Sequence, residues 1–199
     1  MIEIVEILDD EINDVVKIHL KAFPGFFLTK LGNEVLEVFY KSLLKSKGTI
    51  FYGVKKEGEL VGFLVASLEP KGLYTKLFFK NIVRFALPLF FSFLKNLSFL
   101  KRMIISVMSS NKVSVSQTYP TSLLSICVSP SNAGKGVGKF LLNRLEKELI
   151  LQNQSGYYLT TDAENNIATN RFYLSCGFKL YDTYSQGSRR MNLYVKELK

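Results

Sequence analysis

The stretch SPSNAGKGVGKFLLNRLEKEL, residues 129–149, sets three glycines two apart (Gly134, Gly136 and Gly138) directly before a helical pattern. Glycine gives up backbone entropy on folding and offers no side chain to bury. Such a cluster marks a left-handed turn, or a main chain that must come very close to something. Upstream, SLLSICV (122–128) reads as a strand. A strand entering a glycine-rich turn and then a helix is a ready anion site, because loop amides point inward and the helix N-terminus adds about half a positive charge. A flexible connection is the plain alternative. Walker A, GxxxxGK[ST], is excluded: Gly134 to Gly138 is one residue short, and Phe140 stands where a magnesium-binding hydroxyl belongs. The dinucleotide fingerprint GxGxxG fails as well, since the three glycines alternate without its wider gap.

The chain has 199 residues, 47% hydrophobic and 22% charged, which suits one globular domain over 1–199 carrying an insertion. Its two cysteines, Cys127 and Cys176, form no CxxC pair and sit in apolar segments, as reduced structural thiols do. The acidic, alternating N-terminus MIEIVEILDDE is unlike a signal peptide, and a cytoplasmic location is expected. The net charge of +9 is concentrated: residues 71–116 hold eight bases and no acid, leaving 18 bases against all 17 acids elsewhere. Nucleic-acid binding, which would spread basic residues over a face of the fold, is not expected.

Hydrophobic periodicity predicts a strand at 1–7, then a helix capped by Asp9 or Asp10 with an apolar face of Ile12, Val15, Val16, His19 and Leu20. FPGFF (23–27) ends it, and a second helix is expected over Thr29–Lys45. Two strands then meet at a tight turn, Lys56–Glu59. After the insertion come the strand at 122–128, a helix to Leu149, a strand at GYYLTTD, a helix over Asn165–Ser175, and strands near 178–184 and 190–197. This order predicts an α/β (α+β) fold, a mixed central sheet with helices on both faces and a helical insertion between the third and fourth strands.

Two motifs resemble those of the GCN5-related N-acetyltransferase (GNAT) superfamily. ICVSPSNAGKGVGKFLLNRL is similar to its pyrophosphate-binding pattern, [RQ]xxGx[GA], with Gly136 and Gly138 at the small positions and Ala133 where Arg or Gln is usual. DAENNIATNRFYLSCGF (162–178) resembles the next strand–helix–strand unit through Asn166, Phe172, Tyr173, Gly177 and Phe178, with Thr169 replacing the usual Ala. Together they cover about 122–185. The resemblance implies acetyl-CoA as co-substrate and no metal. It also implies coenzyme contacts from Ile126, Cys127, Val128, Ala133, Gly134, Lys135, Gly136, Val137, Gly138, Lys139, Asn166, Asn170 and Tyr173, with the Val128 amide facing the thioester oxygen. The implied activity is acetyl transfer to a small-molecule primary amine, such as an amino sugar. A protein or peptide acceptor, or a non-catalytic acyl-CoA-binding or membrane-docking module, stays open.

The resemblance also implies that Tyr173 protonates the leaving thiolate, for which a phenol with a pKa near 10 is chemically suited. Aromatic packing is the alternative. No acid lies between Glu69 and Glu146, so Glu69, Asp162 and Glu164 are the candidate bases, unless they are solvated strand ends. Glu69 is expected beside the acceptor, and Phe26 and Phe27 on the opposite wall. His19 reads as a core histidine more readily than as a base. Cys127, mid-strand, favours direct transfer over an acyl-cysteine.

In segment 71–116, Lys76, Lys80 and Arg84 recur every four residues as one helical stripe, and Pro88 should kink or end that helix. The longest uncharged run, Phe85–Leu94, is too short to span a bilayer, which takes about 20 residues. Three readings fit: a solvated helical insertion, a lid over an anionic acceptor, and peripheral membrane contact.

Overall fold

The structure is a computed structural model, and it describes residues 2–81, 83–85, 115 and 118–198. Seven strands form one mixed sheet in the order β1-β2-β3-β4-β5-β7-β6. They are β1 (Ile2–Glu6), β2 (Thr49–Lys56), β3 (Glu59–Ser67), β4 (Thr121–Val128), β5 (Gly156–Asp162), β6 (Lys179–Gln186) and β7 (Arg189–Glu197). The helices are α1 (Ile12–Ala22), α2 (Phe27–Lys30), α3 (Asn33–Leu44), α4 (Leu73–Lys80), α5 (Val137–Leu151) and α6 (Ile167–Ser175).

The central strands alternate two apolar faces. Along β2 and β3, Ile50, Tyr52, Val54, Leu64 and Ala66 pack with Leu141, Leu142, Leu145 and Leu149 of α5. Their neighbours Phe51, Phe63 and Val65 face α1, α3 and α4 instead. Each of the four α5 leucines is fully buried, at about 1.5–3 kcal/mol per side chain. The β2–β3 hairpin closes at Glu57 and Gly58, both with positive φ (55° and 84°), the backbone that a tight hairpin turn requires.

Three local expectations are corrected. Asp9 and Asp10 do not cap α1: with Glu11 they form a 3-10 turn, and the Glu11 carboxylate accepts the Leu8 N–H at 2.9 Å. Asp9 instead pairs with Lys45 at 2.9 Å. The single helix expected over Thr29–Lys45 is two, because Gly32, at φ 96°, breaks the chain before α3. The basic stripe does not share one helix either. α4 ends at Lys80, where the Asn81 side chain donates to Leu77 O at 3.0 Å, and Arg84 lies beyond. Lys76, Lys80 and Arg84 are exposed, while Leu73 and Leu77 are buried. Pro88 and most of the expected insertion lie outside the described residues. Among the described residues, no helix is long and apolar enough to cross a membrane.

The sheet changes character at its centre. All neighbouring pairs are antiparallel except β4–β5, which are parallel and matched only at Thr121↔Tyr157 and Ser122↔Tyr158. Just past that contact the β3–β4 register slips by one residue, from Ala66↔Leu123 to Val65↔Ser125. A bulge of this kind bends its strand and sharpens the local twist. Gly156 forms the vertex. A Cβ there would stand 2.6 Å from Lys196 O and 2.7 Å from the Tyr119 ring. Gly156→Ala should therefore cost about 1–3 kcal/mol by overpacking against backbone. Urea unfolding measures it; an unchanged midpoint would show that the vertex tolerates the added atom.

Candidate active site

Beyond Ser122, β4 and β5 are no longer paired, and a cleft of about 670 Å³ opens where they separate. Three groups of residues line it. Asn132, Ala133, Gly134, Gly136, Val137, Gly138 and Lys139 form one end. Ile126, Val128, Thr160, Thr161, Asp162, Asn166, Phe172 and Tyr173 form the middle. His19, Phe23, Phe26, Leu28, Leu124 and Ser125 form the far wall.

The glycines serve different ends. Gly134 and Gly136 have φ of 73° and 81°, and a Cβ on either would meet nothing within 4 Å. The turn is left-handed and the space above it open. Gly136 is the N-cap of α5 and supplies no side-chain cap, so the first-turn N–H groups stay available to an anion. Gly138 has another role: its Cβ would stand 3.0 Å from the Phe172 ring, so it lets α6 pack against α5. Lys139 lines the cleft, whereas Lys135 turns back to donate to Ser131 O at 2.8 Å.

β4 presents alternate main-chain groups. The Ser129 N–H is spent on Val61 O of β3 at 2.8 Å. Strand alternation therefore aims the Val128 and Ile126 main chain at the β5 side. Cys127 faces away: its carbonyl would lie 2.9 Å from a Cβ on Gly62 of β3. Its side chain is buried in the core beneath α1 and α3, and burial pushes the thiol pKa well up, keeping it protonated. Neither part of Cys127 reaches the cleft.

Asn170 is likewise withdrawn. Its amide donates to Asp162 O (2.9 Å) and Asn166 O (2.8 Å), and its oxygen accepts from Asn192 (2.9 Å) and the Tyr194 hydroxyl (2.9 Å). That exhausts a carboxamide's two donors and two acceptor sites. It is a structural clamp on the end of β5. Asn166 does line the cleft, donating to Thr161 Oγ1 at 2.8 Å.

The candidate bases disperse. Glu69 is exposed beyond the end of β3, at the closed end of the β4–β5 split, and does not line the cleft. Asp162 lines it but is held in a bidentate pair by Arg189, at 2.8 and 2.7 Å. Glu164 is exposed and outside the lining. Phe26 lines the far wall; the Phe27 side chain is outside the described part of the structure. None of Lys76, Lys80 and Arg84 lines the cleft.

Tyr173 is a packing residue and a cleft residue together. Its ring meets Phe172 at 5.4 Å and Phe178 at 5.5 Å, yet it lines the cavity, and among the described residues no hydrogen bond engages its hydroxyl. Burial, with smaller contributions from Cys127 and Cys176, pushes its pKa well up. The phenol holds its proton.

His19 is the cleft residue that the sequence reading underrated. It is 3% exposed, Nδ1 shares a hydrogen bond with the Tyr40 hydroxyl at 2.7 Å, and Nε2 is buried with no partner. Its helical position marked it as core; the FPGFF break one turn later was the available sign of a cavity wall. Burial pushes its pKa down to about 4. The unfolded chain, with an ordinary histidine value near 6.5, takes up the proton first, so stability falls as pH drops through that interval. Lowering the pH from 7 to 5 should cost about 2 kcal/mol from this group. Asp9 and Glu148, whose pKa values are lowered from 3.8 and 4.5, act at lower pH. Urea unfolding across this range measures the loss, and His19→Phe should flatten it. An equally steep profile in that variant would assign the dependence elsewhere.

The comparisons with known proteins agree with this geometry. Residues 106–180 match the family model described as an acetyltransferase (GNAT) domain. No curated protein matches the sequence. Among solved structures, an N-acetyltransferase from Staphylococcus aureus Mu50 aligns with TM-score 0.62 at 14% identity, covering 100% of this chain and 99% of its own. The ribosomal-protein-S18-alanine N-acetyltransferase from Escherichia coli aligns at 0.60 and 14%, covering 100% and 94%. The PaiA N-acetyltransferase from Thermoplasma acidophilum, solved in complex with coenzyme A, aligns at 0.57 and 15%, covering 99% of each chain. At such identities the structures carry the fold, and the family model speaks for residues 106–180. Over residues 106–180 the chain thus matches a GNAT acetyltransferase domain, and as a whole it has the fold of GNAT acetyltransferases.

Proposed function

We propose that the protein transfers the acetyl group of acetyl-CoA directly to the primary amine of a small molecule. One observation carries the reading: a single cleft joins an anion-receptive glycine turn to an aromatic wall along an unpaired strand edge. The residues present fit the coenzyme. The open space over Gly134 and Gly136, the first turn of α5 and Lys139 suit a diphosphate. The main chain of Ile126 and Val128 suits an extended pantetheine arm. Ala133 supplies no side-chain contact, which leaves phosphate binding to amides and Lys139.

Acetyl-CoA supplies the thioester: a C–N bond forms as the C–S bond breaks, the amine releases one proton and the departing sulfur takes one up. The Val128 N–H, aimed at the β5 side, is our candidate donor to the carbonyl oxygen. Tyr173, kept protonated, is our candidate donor to the sulfur. The wall of Phe23, Phe26 and Leu28 favours an acceptor with an apolar or ring-bearing part.

A thiol-release screen over an amine panel, run beside calorimetry with acetyl-CoA, tests the assignment; binding without turnover on any amine would favour a non-catalytic module. Gly136→Asp places a carboxylate where the diphosphate belongs and should abolish acetyl-CoA binding while the fold persists. Gly136→Asn imposes the same backbone strain without charge and should weaken it less. Unchanged affinity in the aspartate variant would sink the coenzyme site. Tyr173→Phe should lower kcat by roughly 10²–10⁴ with coenzyme affinity preserved. Near-normal turnover would return Tyr173 to a packing role.

A further inference from the structure

Behind the far wall of the cleft, a buried hydrogen bond between two side chains leaves one ring nitrogen without a partner. Tyr40 Oη stands 2.7 Å from His19 Nδ1. Tyr40 of α3 and His19 of α1 are both buried, which fixes their rings against one another. The Tyr40 phenol carries a proton that a buried site must pair, and Nδ1 is its hydrogen-bond partner among the described residues, so the phenol donates and Nδ1 accepts. A neutral imidazole that accepts at Nδ1 carries its own proton on Nε2. That nitrogen is buried, unpartnered, and belongs to a side chain lining the cleft.

An unmet donor in a buried wall costs about 1–3 kcal/mol unless something occupies it. We propose that His19 is a substrate-contacting residue of the acceptor pocket, its Nε2–H gripping an uncharged carbonyl or hydroxyl oxygen on the acceptor amine. This rests on the acetyltransferase reading of the same cleft. Uncharged oxygen follows from the surroundings. Among the described residues, the cations lining the cleft are Lys139, at the glycine end, and Arg189, held by Asp162. A carboxylate beside His19 would lack a counter-charge, and Phe23, 5.1 Å from the imidazole, adds apolar surface. The pocket therefore prefers an amine with a nearby amide carbonyl or alcohol to a plain alkylamine.

His19 is the sole histidine, so ring ¹⁵N spectra of the full chain report it without ambiguity. At pH 7 the spectrum should show a neutral ring protonated on Nε2. Phenylalaninamide and 2-phenylethylamine, an aromatic amine with and without the carbonyl, serve as probes. The amide should move the Nε2–H resonance and bind roughly tenfold tighter, the scale of one added hydrogen bond. His19→Leu should abolish that preference, His19→Gln, which retains a donor, should restore part of it, and acetyl-CoA affinity by calorimetry should hold in both. A proton on Nδ1, equal response to both probes, or no response would overturn the proposal, and the wild-type spectra decide even if a variant fails to fold. Absence of acetyl-CoA binding in the wild-type chain would instead remove the acetyltransferase reading, whatever the histidine shows.

Discussion

The structure depends on a sheet that stops being one. β4 and β5 share two residue pairs, whereas β2 and β3 share eight. A strand edge left unpaired leaves N–H and C=O groups without protein partners, a cost that sheets ordinarily avoid by closing up. Here the strands are held apart by what stands between and behind them. Gly156 lets β5 and β7 meet Tyr119 at the vertex, the bulge at the start of β4 turns that strand, and α5 lies across both halves. The cleft is thus a built feature, and its floor is main chain already arranged for an extended partner.

Rigidity at the open end comes from polar clamps, not hydrophobic mass. Asn170 ties α6 to the last residue of β5 and, through Asn192 and Tyr194, to β7. Arg189 holds Asp162 from the same side. Tyr173 is placed by Phe172, Phe178 and Tyr194 around its ring, leaving the hydroxyl end to the cavity. A side chain so constrained has little rotamer freedom to lose when a ligand arrives.

The legible parts of this molecule are those that local backbone chemistry enforces. The glycine turn before α5 and the hairpin at Glu57–Gly58 declare themselves through spacing, and the Asn-led α6 with its Phe172–Tyr173 pair through its resemblance to a family motif. Gly32 was equally local, but the apolar pattern running through it masked the break between α2 and α3. Long-range geometry was the harder part. That Asn170 is consumed by Asn192 and Tyr194 follows from β7 lying beside β5, an order that chain position does not reveal. Glu69, closing the third strand, is expected beside the acceptor, yet antiparallel pairing puts the end of β3 at the start of β4, away from the open end of the cleft. His19 has the helical spacing of a core residue, and it is one; only the cavity beside it gives its free nitrogen a purpose.

Electrostatics then divides the cleft into unlike halves. The glycine end offers helix-terminal amides and Lys139, suited to anionic charge. At the other end, burial holds His19 neutral, and the Tyr40 phenol and Cys127 thiol packed in the core behind it keep their protons. An ammonium entering such a wall would shed its water without meeting a carboxylate, at several kcal/mol for an unpaired buried ion. Using the neutral fraction of an alkyl amine with a pKa near 10.4 costs about 4 kcal/mol at pH 7.4, from three units at 1.36 kcal/mol each. The two costs are comparable. For the proposed reaction, the wall therefore favours the neutral amine; its nitrogen sheds one further proton as the C–N bond forms, while the departing sulfur takes one up.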